Sequence, residues 1–132
     1  MKAMRVNEST PDRMLVWTDV PDLAMGDDDA LVDVHATALN RADLMQRAGN
    51  YAPPPGASDI LGLEMAGVIA AIGANVRGWS VGDRVCALLP GGGYAEQVVV
   101  PAPLLMPIPM GWSMAQAATL PEVYLTAFVN IY

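Results

Sequence analysis

Asn40-Arg41-Ala42-Asp43 sets a side-chain amide three residues ahead of a carboxylate. That spacing is the reciprocal capping pattern of a helix start, in which the two side chains satisfy backbone N–H groups. An amide and a carboxylate at a helix entrance can also address a polar ligand, and the two roles are compatible where the helix starts at the mouth of a cleft. Glu64 stands in an apolar run from Leu61 to Ile72, where a carboxylate needs partners. From the residues alone it reads as a buried structural carboxylate paired with an arginine such as Arg84. His35, the one histidine, shares the polar side of an alternating segment with Asp33 and Thr37 and reads as a surface position. Cys86, the one cysteine, lies in an apolar segment and reads as an inert core thiol.

Other chemistries are missing. The chain has no HExxH, no CxxC and no Walker loop, and one histidine offers no serine–histidine–aspartate set. Gly62-Leu63-Glu64-Met65-Ala66-Gly67 imitates the glycine spacing of a dinucleotide fingerprint. It places Glu64 where the backbone would have to approach a pyrophosphate, and a carboxylate there repels phosphate. Gly91-Gly92-Gly93 has no adjoining helix and reads as a turn. Asp27-Asp28-Asp29 reads as a solvated turn, since nothing nearby completes a metal-ligand set.

The elements that must position these residues follow from periodicity. Ala30, Val32, Val34, Ala36 and Ala38 alternate with Leu31, Asp33, His35 and Thr37, the pattern of a half-buried strand. Short apolar runs at Met14–Trp17, Leu63–Ile72, Arg84–Leu89 and Tyr94–Val100 are separated by turn signals, and predict a barrel or folded sheet. A first helix is predicted from Arg41 to about Ala48, with Asn40 as N-cap and Gly49 as stop. Ser113-Met114-Ala115-Gln116 is a capping box for a second helix, which Pro121 breaks, and Glu122–Tyr132 reads as a third. That helix ends apolar and without a C-cap, so it is expected to continue or to pack on something outside these residues.

Composition excludes several classes. At 132 residues the chain suits one domain, and 53% hydrophobic against 16% charged residues suits a packed core. A net charge of −7 with seven scattered Lys and Arg argues against nucleic acid. The most apolar stretch, Val98–Met110, is cut by four prolines, so no membrane span is expected, and the N-terminus lacks a signal-peptide core. A single cysteine cannot form an internal disulfide, and a cytoplasmic setting is the default expectation.

Read in order, several segments form a series: Ala38–Leu44, Gly49-Asn50-Tyr51-Ala52-Pro53-Pro54-Pro55-Gly56, Leu61–Ile69, Val81-Gly82-Asp83-Arg84-Val85, Gly93-Tyr94-Ala95-Glu96 and Leu120-Pro121-Glu122. This series resembles the catalytic domain of medium-chain dehydrogenases/reductases, and its NRAD, YAPPPG and LLPGGGYAE segments are most similar to the zeta-crystallin-like quinone oxidoreductase branch. The resemblance implies a mainly β, GroES-like barrel over residues 1–112, with residues 113–132 starting the helices that link to a Rossmann domain. That second domain would begin past Tyr132, and a return segment would complete the barrel.

The resemblance also implies roles. Zinc-dependent members place a cysteine at the position of Asn40 and a histidine at that of Leu63, so no metal is expected here. The implied cofactor is NADPH, held mainly by the second domain. The implied partner is a small quinone or enone, and the implied assembly a homodimer or homotetramer. Asn40 is expected to hydrogen-bond near the nicotinamide or the substrate oxygen. Tyr51 is expected to donate to the substrate oxygen; its plainer reading is an anchor for a proline-rich loop. Thr126 is expected to touch the nicotinamide; its plainer reading is a bond back to a preceding carbonyl. Asp43 and Met45 are expected to line the cleft. An enoyl or alkenal reductase shares this fold and cofactor, and a stand-alone binding module is the reading from a different class.

Overall fold

The computed structural model describes all 132 residues. Its strands are β1 (Lys2–Val6), β2 (Leu15–Asp19), β3 (Asp29–Thr37), β4 (Glu64–Ile72), β5 (Arg84–Leu88), β6 (Gln97–Pro101) and β7 (Met106–Pro107). Helices α1 (Arg41–Arg47), α2 (Met114–Ala117) and α3 (Pro121–Ile131) complete it, with a single 3₁₀ turn at Ala102–Leu104. Five strands form one antiparallel sheet in the order β6-β3-β4-β5-β7, and β1 pairs with β2 in a separate antiparallel ribbon. The two sheets meet at one bridge, Ala3 with Ala95. The mainly β reading holds, and there are no parallel strands for a dinucleotide-binding unit. Sequence reading missed β1, whose five residues are short and mixed in polarity.

The alternation in β3 buries Ala30 and Val32 completely and leaves His35 and Thr37 exposed, as the pattern requires. Ala30 and Val32 join Met65, Ile69, Val85, Val98 and Val100 in the main core on one side of the sheet. Strand parity then sends the even residues of β4 to the other side. There Ala66 and Cys86 pack on Ala117 and Ala118, so α2 covers the face that also carries Glu64. Burial raises the Cys86 thiol pKa, with a further push from the Glu64 charge, which keeps the sulfur unreactive as expected.

Two glycines are required by close approach. β3 carries irregularities between Leu31 and Val32 and between Val34 and Ala36, and a Cβ on Gly67 opposite them would lie 2.1 Å from the Asp33 carbonyl oxygen. Gly62 has φ of 105° and a Cβ there would lie 2.6 Å from the Tyr94 nitrogen. The glycine pair that imitates a dinucleotide fingerprint therefore serves strand entry and strand pairing, and runs into β4, not into a helix.

Helix α1 begins and ends within a residue of expectation, with Gly49 at φ 81° just beyond it. At the C-terminal end the Ser113 capping box forms: the Ser113 hydroxyl accepts the Gln116 N–H at 3.2 Å and the Gln116 side chain accepts the Ser113 N–H at 2.9 Å. α3 follows from Pro121, and it leaves Tyr124, Phe128, Val129 and Ile131 exposed. No helix is long and apolar enough to cross a membrane.

Candidate functional site

The site grows from the junction of β3, α1, β4 and α3. Asp43, four per cent exposed, sits in the first turn of α1. Its Oδ2 accepts the Asn40 backbone N–H at 2.8 Å, the returning half of the capping pair, and also the Tyr94 hydroxyl at 2.8 Å. Its Oδ1 accepts the Gly62 N–H at 3.2 Å. One carboxylate thus ties the start of α1 to the β4 entrance and to the segment before β6. Asp43 borders a cavity of about 320 Å³, shared with Asn40, Leu39, Leu44, Leu61 and Tyr94, but as a fixed part of the wall, with both oxygens engaged.

With its backbone N–H held by Asp43, the Asn40 side chain is free to point elsewhere. Its Nδ2 donates to Glu64 Oε1 at 2.8 Å. Glu64 is one per cent exposed, and its other oxygen, Oε2, accepts the backbone N–H of Glu122 at 2.9 Å. The N-cap of α3 is Leu120, which has no side chain able to cap, and Pro121 at the first helical position has no N–H. Glu64 supplies the missing acceptor from another element, at the helix end that favours negative charge. The expected arginine partner is a correction: Arg84 turns outward to the Trp112 carbonyl at 2.7 Å, and no ion pair of the chain involves Glu64. A backbone N–H carries no signal in a sequence, whereas an arginine does, so the pattern of residue types points to the wrong partner.

Thr126 lies one turn into α3 from Glu122 and is exposed, its hydroxyl 3.5 Å from Glu122 Oε1. The backbone-bonding alternative for this hydroxyl is not the arrangement seen. Asn40, Glu64 and the first turn of α3 therefore form one connected group, with Thr126 just beyond it. Tyr51 stands apart. It is 43% exposed, in the proline-rich loop, and lines a separate polar cleft of about 750 Å³ with Arg5, Arg13, Gln46 and Asp59. Leu61 borders both spaces. Arg5 pairs with Asp59 and Arg13 with Glu8 across that cleft's rim, so its charges are balanced. Met45 is 40% exposed and borders neither cavity.

Nowhere do three histidine, cysteine, aspartate or glutamate side chains converge. For a nicotinamide, the chain offers amide and hydroxyl groups suited to a carboxamide or a carbonyl oxygen: the second Nδ2 hydrogen of Asn40 and the exposed Thr126 hydroxyl, whose one contact is the long one to Glu122. It offers no glycine-rich helix start for a pyrophosphate.

Tyr94 was not singled out in the sequence, since an aromatic residue after a glycine run carries no site signal of its own. Burial, reinforced by the Asp43 hydrogen bond and the Asp43 and Glu64 charges, holds its phenol pKa well above the usual 10.0. The native state therefore keeps this proton where the unfolded chain releases it. The contribution is complete below pH 10 and is lost as pH climbs from there toward the folded value. Tyr94→Phe is expected to cost about 1–2 kcal/mol near neutrality. The gap to the parent should narrow above about pH 10. Urea melts of both proteins across that range check this; a gap that widens with pH would contradict it.

Comparison with known proteins agrees with this architecture. Residues 26–110 match the family model of the alcohol dehydrogenase GroES-like domain. A human synaptic vesicle membrane protein VAT-1 homolog-like protein is 36% identical over 106 residues, 80% of this chain and 25% of that protein. A trans-enoyl reductase of Petromyces alliaceus is 36% identical over 123 residues, 86% of this chain and 33% of that protein. The quinone oxidoreductase of Coxiella burnetii superposes with a TM-score of 0.87 at 27% identity, covering 99% of this chain and 44% of that structure. The chain thus spans only a quarter to a third of the length of these two curated relatives. A β-rich domain with this strand order, matched over most of its length by the family model and by oxidoreductase structures, belongs to the alcohol dehydrogenase GroES-like domain family, among the quinone-oxidoreductase-like members of the medium-chain dehydrogenase/reductase superfamily.

Proposed function

We propose that this domain is the substrate-side wall of an NADPH-dependent, zinc-independent quinone oxidoreductase. The observation that carries the reading is the Asn40 amide, held by a buried carboxylate at a cavity mouth beside the start of α3. Nicotinamide, when bound, supplies the hydride; the pyrophosphate and ribose are left to residues outside this chain. Asn40 and Thr126 offer hydrogen bonds to its carboxamide or to the substrate oxygen. Tyr51, in the proline-rich loop, or a water donates the proton that follows the hydride, and the Tyr51 ring walls the polar cleft. A quinone needs little more than positioning and a few donors, because its reduced product is aromatic. An amide at position 40 and a leucine at position 63 supply no zinc ligand, which supports chemistry without the metal. The protein works in the cytoplasm, as a homodimer or homotetramer.

An enoyl reductase is the second reading, favoured by the 36% identity to the fungal trans-enoyl reductase. Steady-state assays of the complete protein with NADPH or NADH, against a simple benzoquinone and a 2-enoyl thioester, with and without a chelator, separate the two. Quinone turnover that survives chelation is expected. Tyr51→Phe should lower kcat/KM by about 100-fold through the lost proton donor, and Asn40→Ala by about 10-fold through lost positioning. Turnover of the thioester alone moves the assignment to the enoyl reductase, and turnover of neither supports a binding module.

A further inference from the structure

Glu64 is the one carboxylate of the chain that is almost wholly buried and serves only donors from two other elements. Each of its oxygens has one hydrogen-bond partner at under 3 Å: the Asn40 amide on one side and the Glu122 backbone N–H on the other. Its own carbonyl accepts the Thr37 hydroxyl at 2.6 Å, which fixes the strand position from which the side chain reaches out. A carboxylate accepts on both oxygens and donates on neither, so only one orientation of the Asn40 amide satisfies it: Nδ2 toward Glu64. The same group holds the first free N–H of a helix whose own N-cap cannot.

We propose that Glu64 is a positioning residue that locks the Asn40 amide and the first turn of α3 into a single unit, so that Asn40 and Thr126 meet a nicotinamide-bearing ligand in fixed relation. This rests on the functional reading above for the ligand, but the coupling itself is a property of this domain and is measurable without turnover. Displacing α3 at its start should disturb Asn40, and removing the carboxylate should release both at once.

Two measurements on the complete protein test it. Hydrogen exchange read by NMR should show the Asn40 side-chain amide and the Glu122 backbone amide both protected. In Glu64→Met, which removes both acceptors at similar volume, both should exchange at least about tenfold faster, with Tyr51→Phe as a control that changes neither. Acceleration of only one of the two overturns the coupling. Kinetically, Glu64→Met should lower kcat/KM by about tenfold in the parent but by no more than about threefold in an Asn40→Ala background, where only its hold on the start of α3 remains to be lost. Equal losses in both backgrounds mean a general structural effect and overturn the proposal. If Asn40→Ala itself leaves kcat/KM unchanged, the functional role of Asn40 fails, while exchange still decides the coupling. Glu64→Asp, which keeps the charge but falls one methylene short, gives the same comparisons should Glu64→Met fail to fold.

Discussion

Asp43→Ala is expected to lower the unfolding free energy by about 4 kcal/mol, read as the shift of the urea midpoint at constant slope. Three donors converge on this carboxylate: the Asn40 and Gly62 backbone N–H groups and the Tyr94 hydroxyl. Tyr94 has somewhere to turn, since the Ala38 carbonyl lies 3.4 Å from its oxygen. The two backbone groups do not, and each buried donor left without an acceptor costs about 1–3 kcal/mol. Against these stands relief of the desolvation of a buried charge, which is the reason the total stays below the sum of the parts. Asp43→Asn should be milder, about 1–2 kcal/mol, because an amide keeps one acceptor and the Tyr94 hydroxyl can reverse its direction. Had Asp43 been only a cleft-lining carboxylate, Asp43→Ala would cost under about 0.5 kcal/mol, as surface changes do. That result would remove it from the scaffold.

Glu64→Gln should cost about 3 kcal/mol, and here the conservative change is the damaging one. Both partners of the carboxylate are donors, the Asn40 amide and the Glu122 N–H. A glutamine offers one acceptor and one NH2, so it can keep the Glu122 N–H only if the Asn40 amide turns over to set Oδ1 against that NH2, in a site that is one per cent exposed and closed to rescue by bulk water. The charge-assisted bonds lost are worth about 1.5–3 kcal/mol each. The favourable field of the carboxylate at the start of α3 adds up to about 1 kcal/mol. The desolvation penalty that the neutral side chain escapes offsets part of this. For a domain of this size the loss corresponds to a fall in Tm on the order of 10 °C. Glu64→Met, similar in volume and without a donor, separates the terms: it gives the Asn40 amide nothing to turn toward and leaves both donors bare. A Glu64→Gln protein as stable as the parent would mean that the carboxylate is dispensable to the junction.

The contrast between these two carboxylates shows where sequence reasoning reaches and where it stops. The capping relation of Asp43 to Asn40 is local, three residues apart, and its spacing alone announced it. The other two bonds of Asp43, to Gly62 and Tyr94, span 19 and 51 residues. Nothing in the neighbourhood of Asp43 signals them. Glu64 is local in nothing. That it needed partners was evident from its apolar surroundings; that they are a side-chain amide and a helix N–H, and not Arg84, depends on α3 folding back over the even face of β4.

What the sequence by itself determined is the set of features carried by short-range physics. These are the alternation that makes β3 half-buried, the bounds of α1, the Ser113 capping box, the inert burial of Cys86 and the mainly β class. The ordered motifs that carried the family resemblance belong with them, because each is a local turn or strand entry. What only the tertiary structure decided is the grouping of the site. It places Asn40 and the start of α3 on one buried carboxylate, sets Tyr51 in a neighbouring cleft, turns Asp43 into a fixed wall and leaves Met45 outside both cavities. The reason is the range of the interactions. A residue's secondary structure responds to neighbours three or four positions away, whereas the partners of a buried polar group are chosen by whichever strand face and helix end the whole chain brings within about 3 Å.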